Sequence, residues 1–247
     1  MSHKFRKKWG QNFLIDNNIS KKIINSLIID NDAIVLEIGP GEGSLTKYIS
    51  KRTKKIQLVE IDPLLCQKLN LKYNEISSIK IFNENILDFN LDLSKKYVIV
   101  GNIPYNITTP IIFKFLNQTN WLSMTLMVQT EVANRIIAQP KSKTYGRLSV
   151  MCQALSNVNK DFDVSRNVFI PKPKVNSSII TFKPKKHSIK DIQKFKELVK
   201  ASFSQRRKKL KNNLNGILNN QQAEKYGHCR AEELSVDEYI DISSNIN

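Results

Sequence analysis

The chain has 247 residues, 40% of them hydrophobic and 25% charged, a globular composition that excludes a disordered or collagen-like chain. Lysine and arginine number 39 against 22 acidic residues; a net charge of +17 exceeds what solubility needs and points to a polyanionic partner, nucleic acid ahead of an anionic membrane surface. No apolar run approaches the ~20 residues of a membrane-spanning helix, and Cys66, Cys152 and Cys229 with His3, His187 and His228 show no metal-ligand spacing.

The start, MSHKFRKKWGQNF, is basic but has neither the apolar segment nor the cleavage site of a secretory signal, so a reduced, cytoplasmic, metal-free protein is expected. Residues 16–29 carry apolar positions at helical spacing behind Asp and Asn caps and predict a helix. The period then changes. AIVLEIG (33–39) predicts a strand, and EGSLTKYISKR after it a helix. KIQLVEID (55–62) predicts a second strand, and PLLCQKLNLKY a second helix with Pro63 in its first turn. Further strands are predicted at 79–86, 97–102 and 123–129, with the helix TPIIFKFLNQ between the last two. Strands alternating with helices imply βαβ units and a mainly parallel sheet covered on both faces, with ligands at the carboxyl ends of the strands. After residue 145 the pattern changes. GRLSVMCQALS predicts a helix, and DFDVSR and NSSIITFKP an antiparallel edge. Beyond Pro184 the chain reads as helical, with Ile192, Phe195, Val199, Phe203, Leu210 and Leu214 near one helical face and a domain boundary near His187.

The parallel-sheet rule directs attention to the strand ends. EIGPGEG occupies the first strand-to-helix turn, where glycine lets the backbone approach a ligand and the helix start offers free N–H groups. A dinucleotide fingerprint would read GxGxxG, whereas this turn holds Glu42, which would repel a pyrophosphate. Glu60, at the end of the second strand, can accept both hydroxyls of a ribose. A glycine turn and a strand-end carboxylate are each commonplace alone. Together, without a phosphate grip, they suggest S-adenosylmethionine.

The next strand ends in VGNIPYN. Methylating an exocyclic amine of a base is difficult because its lone pair is delocalised into the ring. Hydrogen-bond acceptors on that amine draw it towards tetrahedral geometry and free the pair. The side-chain oxygen of Asn102 is one acceptor, and a backbone carbonyl at Ile103 or Pro104 is a second, since a proline turn cannot continue a ladder. Tyr105 offers a ring on which a flipped base can stack.

QNFL (11–14), LEIGPGEGSLT (36–46), VEID (59–62), GNIPYNITTPI (101–111), MVQTEVANRI (127–136), YGRLSV (145–150), VFIPKPKVNSSI (168–179) and FSQRRKKL (203–210) resemble the ribosomal RNA adenine N6,N6-dimethyltransferases in the order found there. The resemblance implies a class I S-adenosylmethionine-dependent methyltransferase fold, Rossmann-like with a mainly parallel seven-stranded sheet. It implies a cofactor-binding catalytic domain over 1–186 and a small all-helical RNA- or ribosome-binding domain over 187–247. It further implies dimethylation of two adjacent adenosines near the 3′ end of 16S rRNA in the small ribosomal subunit, by a monomer. Carried over by position, the cofactor falls on Asn12, Leu14, Gly39, Gly41, Glu60, Ile61, Asn85, Ile86 and Asn102, and the chemistry on Asn102, Pro104 and Tyr105. Where the family has Asp, this chain has Asn85, whose oxygen can still accept from the adenine amine. Asp88 is a weaker substitute. Phe169 reads either as the second wall of the base pocket or as a loop anchor in the core.

Two basic runs, HKFRKKWGQ and QRRKKLK, are solvated faces in an ordinary protein. With this charge and an RNA substrate implied, Lys4, Arg6, Lys7 and Lys8, and Arg206, Arg207 and Lys208 beside Lys209, are expected to meet phosphates. Trp9 can stack or pack. Three rivals share some of these features. A macrolide-resistance methyltransferase of large-subunit RNA shares the pocket motifs, but the longer helical tail favours the small-subunit enzyme. Intact Asn102, Pro104 and Tyr105 disfavour a non-catalytic assembly factor, and no target-recognition insert supports a DNA adenine methyltransferase.

Overall fold

The computed structural model describes residues 11–246, so Lys4, Arg6, Lys7, Lys8 and Trp9 lie outside the described residues. Two compact units divide the chain. One takes in the chain up to Ala133 together with Asn159–Pro184, and the other Asn134–Val158 with Lys185 onward.

In the first unit the alternating pattern becomes β2 (Ile34–Ile38), α2 (Thr46–Ile49), β3 (Ile56–Glu60), α3 (Pro63–Tyr73), β4 (Ile79–Asn83), β5 (Tyr97–Asn102), α4 (Thr108–Leu116) and β6 (Trp121–Gln129). Helix α1 (Asn17–Ser26) precedes them, capped by Asp16, whose carboxylate accepts from the N–H groups of Asn18 and Ile19. Among the described residues one sheet runs β4-β3-β2-β5-β6-β9-β7, with β7 (Ser156–Val164) at its edge and β9 (Ser177–Pro184) antiparallel to β6. The pairs β3–β4, β2–β3, β2–β5 and β5–β6 are parallel. Val35 and Leu36 of β2 are fully buried, as a strand covered on both faces requires. A separate ribbon of two short strands pairs β1 (Phe13–Leu14) with β8 (Phe169–Ile170), which no run of sequence signalled.

Three expectations change. The helix expected over 42–52 shrinks to the single turn of α2. Gly41 and Gly43, at φ +60° and +83°, keep the preceding backbone in left-handed conformations that no α-helix contains. The second change is the make-up of the C-terminal unit. The chain divides at 184/185, near the expected His187, but residues 134–158 group with the C-terminal segment as well. Helix α6 (Arg147–Leu155) is the reason. Leu148 to Cys152, Ala154 and Leu155 are all buried, so nearly its whole circumference needs cover, which α7 (Ile192–Ser202) and α10 (Val236–Ser244) supply.

The third change is in the basic run. The stripe expected to continue through Phe203 and Leu210 breaks, because α7 ends at Ser202 and residues 203–209 form a turn before α8 (Leu210–Asn213). The Asn213 amide donates to the carbonyls of Ser202 and Gln205, satisfying the helix end. Leu210 N–H donates to Cys229 and Lys209 bridges to Arg230, so pairing has replaced helix. No helix among the described residues is long and apolar enough to cross a membrane.

Candidate active site

Strand register brings the site together. Ile38 lies level with Val59 on one side and Gly101 on the other, so the next residues, Gly39, Glu60 and Asn102, emerge side by side. This is the place where the strand order reverses about β2, at the carboxyl ends of the strands. Close approach is built in. A Cβ on Gly101 would come 2.7 Å from the Ile38 carbonyl oxygen, and one on Gly41 would come 2.8 Å from the Phe13 ring.

A solvent-connected cleft of about 840 Å³ opens there. Asn12, Leu14, Gly39, Gly41, Glu60, Ile61, Asn85, Ile86, Asn102, Pro104 and Tyr105 all line it. Glu37 and Glu84 line it as well, and no lysine or arginine does among the described residues. Acidic side chains and no cation disfavour a pyrophosphate and suit a ligand with positive charge. Glu42 does not line the cleft. It is exposed and pairs with Lys68 at 3.2 Å, so the electrostatic preference expected of Glu42 falls instead to Glu60 and Glu84.

Glu60 is 5% exposed. Its Oε2 accepts from Gly41 N–H at 3.1 Å and its Oε1 from Asp62 N–H at 3.0 Å. Burial raises its pKa, opposed by those two backbone donors. A carboxylate has about four lone-pair positions, so two remain for the hydroxyls of a ribose. Asp62 in turn caps α3 through Leu64 N–H and accepts from the Gln11 amide at 3.1 Å. Glu37, fully buried beneath the glycine turn, accepts from Thr46 Oγ1 at 2.6 Å, and burial pushes its carboxyl up to about 7. Carboxylates, glycine turn and apolar walls together fit S-adenosylmethionine.

Asn102 donates from Nδ2 to the backbone carbonyl of Asn12 at 2.8 Å. That bond fixes the amide and leaves its oxygen as the acceptor. The Pro104 carbonyl already accepts from Ile107 N–H at 3.2 Å and Thr108 Oγ1 at 3.3 Å, so of the two backbone candidates Ile103 is the better second acceptor. Tyr105, half-buried, shares a 2.7 Å hydrogen bond with Ser177 Oγ. Phe169 is 2% exposed, pairs with Leu14 across the β1–β8 ribbon and packs in the core of the first unit, outside the cleft lining. This placement matches the loop-anchor reading.

Asn85 uses its oxygen to accept from Leu87 N–H at 3.1 Å and its nitrogen to donate to Asp88 at 3.0 Å, so one of the two lone pairs on the oxygen is already spent. In the second unit Arg206, Arg207 and Lys208 are all exposed, but only Arg206 reaches back to backbone, donating to the carbonyls of Lys143 and Tyr145. Sequence reasoning missed Phe13, Ile107 and Ser177. Phe13 and Ile107 fall inside motifs already singled out. Ser177 lies 72 residues from Tyr105, a distance no local signal spans.

A family model described as "Ribosomal RNA adenine dimethylase" matches residues 2–247. A protein of Malacoplasma penetrans named "Ribosomal RNA small subunit methyltransferase A" is 42% identical over 221 residues, 88% of this chain and 80% of that protein. One of the same name from Francisella tularensis subsp. novicida is 37% identical over 98% of this chain and 97% of its own. Among solved structures, a dimethyladenosine transferase from Plasmodium falciparum superposes with a TM-score of 0.83 at 25% identity, covering 93% of this chain and 95% of that one. The 23S rRNA methyltransferase ErmE shares the fold with a TM-score of 0.75 at 24% identity, over 94% and 98% of the two chains. The mostly parallel seven-stranded sheet is that of the class I methyltransferases. With residues 2–247 matched and relatives at 37% and 42% identity, the chain belongs to the ribosomal RNA adenine dimethylase family.

Proposed function

We propose that this enzyme transfers methyl groups from S-adenosylmethionine to the N6 amines of two adjacent adenosines in a hairpin near the 3′ end of 16S rRNA, within the small ribosomal subunit, and so contributes to subunit biogenesis. The observation that carries the chemistry is the fixed amide of Asn102, turned by its bond to Asn12 so that an oxygen is left to accept at the end of β5.

Glu60, Gly39, Gly41, Asn85 and Ile86 would hold S-adenosylmethionine, which supplies an electrophilic methyl group on a sulfonium. Oδ1 of Asn102 and the carbonyl of Ile103 accept the two N–H bonds of an adenine N6, localising its lone pair for attack. Tyr105, held by Ser177, gives the flipped base a face to stack on. Methylated N6 is cationic and loses its proton without a strong base. The first unit is read as catalytic and the second as contributing RNA contacts through Arg207 and Lys208. A ribosomal substrate supports a cytoplasmic location.

Labelled S-adenosylmethionine incubated with unmethylated small subunits should yield N6,N6-dimethyladenosine in their RNA on nucleoside analysis. In a parallel incubation with unmethylated large subunits, label confined to their RNA would favour the macrolide-resistance activity instead, and no label in either would leave a binding factor.

A further inference from the structure

The first unit carries a basic cluster that neither the cleft nor the two basic runs include. The Nζ atoms of Lys21, Lys47 and Lys51 lie 6.0, 5.3 and 6.0 Å from the centre of the Tyr48 ring. All three lysines are exposed, and Tyr48 is held in place by its hydroxyl, which donates to Asn17 Oδ1 at 2.9 Å. Asn17 and Lys21 are one turn apart on α1, so both face the ring. Beside them, Lys22 sits 4.0 Å over Phe162. Lys51 continues into a groove that Lys54 also lines.

Within this unit the ion pairs of the described residues engage Lys55, Lys68 and Lys160, and none engages Lys21, Lys47 or Lys51. The nearby Asp16 carboxylate is spent on the cap of α1. Three ammonium groups, each within about 6 Å of one centre, repel one another over distances comparable to the Debye length of ~8 Å. One ring has two faces, so cation–π attraction does not account for three. Long lysine stems can lie along an aromatic surface while their charged heads stay in water, and the fixed ring serves as that surface. The arrangement concentrates positive charge on an ordered scaffold and supplies no anion.

We infer that this α1–α2 face is an RNA-binding surface, in which the lysine cluster around Tyr48 meets backbone phosphates of the rRNA substrate away from the nucleotides that enter the cleft. The inference rests on the function proposed above. Asn17 lies three residues beyond Leu14, which lines the cleft, and Lys47 two beyond Leu45, which also does. The elements that carry the cluster thus continue from segments that line the cleft, while Lys21, Lys47, Tyr48 and Lys51 themselves lie outside its lining.

The test compares the full chain with its K21Q/K47Q/K51Q variant in binding unmethylated small-subunit rRNA across a salt series. Each phosphate contact contributes ~0.7–0.9 to the slope of log affinity against log salt, so the variant should lose about 2 from that slope. Its affinity for S-adenosylmethionine, read by calorimetry, should be unchanged. A wild-type slope in the variant overturns the proposal. So does a loss of binding to vesicles of anionic lipid with the rRNA slope intact, which would assign the face to a membrane. If the unaltered protein itself shows no salt-dependent rRNA binding and no methyl transfer, the proposed function fails. If it shows both and the variant slope does not move, only this surface fails.

Discussion

Glu60 serves the fold and the ligand with the same two oxygens. Its carboxylate ties the glycine turn at Gly41 to the start of α3 at Asp62, and it faces a cleft also lined by the glycine turn and by the amides of Asn85 and Asn102. Glu60→Ala removes the acceptor for two ribose hydroxyls, each charge-assisted bond being worth roughly 1.5–3 kcal/mol less what water returns. Calorimetry should show the affinity for S-adenosylmethionine reduced at least tenfold, and unchanged affinity would remove Glu60 from the cofactor site. Asn102 differs because its nitrogen is spent on Asn12 and only the oxygen is free for chemistry. Asn102→Ala should lower single-turnover methylation by ~10²–10³ while rRNA affinity stays near that of the unaltered protein. A variant that lost rRNA binding and kept its rate per bound complex would make Asn102 a structural residue.

Among the elements, the turn after α7 separates basic residues that a helix would have treated alike. Arg206 donates to the carbonyls of Lys143 and Tyr145, so its guanidinium is committed to the second unit, where the half-buried Phe203 ring packs edge-on or tilted against the buried rings of Tyr145 and Tyr239. Arg207 and Lys208 have no such duty. Arg207→Gln with Lys208→Gln should weaken rRNA binding and flatten the salt slope by roughly 1.5. Arg206→Gln should instead lower the denaturation midpoint with little change in slope, since hydrogen bonds from a charged donor are worth ~1.5–3 kcal/mol. If all three changes acted alike on the slope, the structural assignment of Arg206 would be wrong. The same turn shows what a sequence can and cannot reveal. Period-2 and period-3.6 patterns located β2, β3, α3 and β5 to within a few residues because their register is set by the residues themselves. The end of α7 is set by Asn213, Cys229 and Arg230, far along the chain. Cleft residues were legible because they cluster at strand ends. Ser177 and the pairing of Phe169 with Leu14 were not, because each depends on strands that meet across long loops.

For the whole molecule, the carboxylates buried under the cofactor turn set a pH dependence of stability that the large positive charge alone does not predict. Glu37 has an ordinary value of 4.5 in the unfolded chain and about 7 in the fold, raised by burial and opposed by Thr46 and Lys72. The folded state therefore holds this proton more tightly than the unfolded state. Its contribution is fully present below pH 4.5 and is lost as pH rises through about 7. Glu60, also raised by burial, acts in the same direction, whereas the exposed Asp163, lowered by Lys160 and Ser178, acts in the opposite one. Glu37→Gln keeps an oxygen to accept from Thr46 and removes the titration. In cofactor-free urea unfolding, the variant should match the unaltered protein near pH 4.5 and exceed it at pH 8 by up to about 3 kcal/mol, the equivalent of the shift. The residual slope of the variant should come from Glu60. Equal stability differences at both pH values would mean that Glu37 is ionised throughout, held by a partner stronger than Thr46.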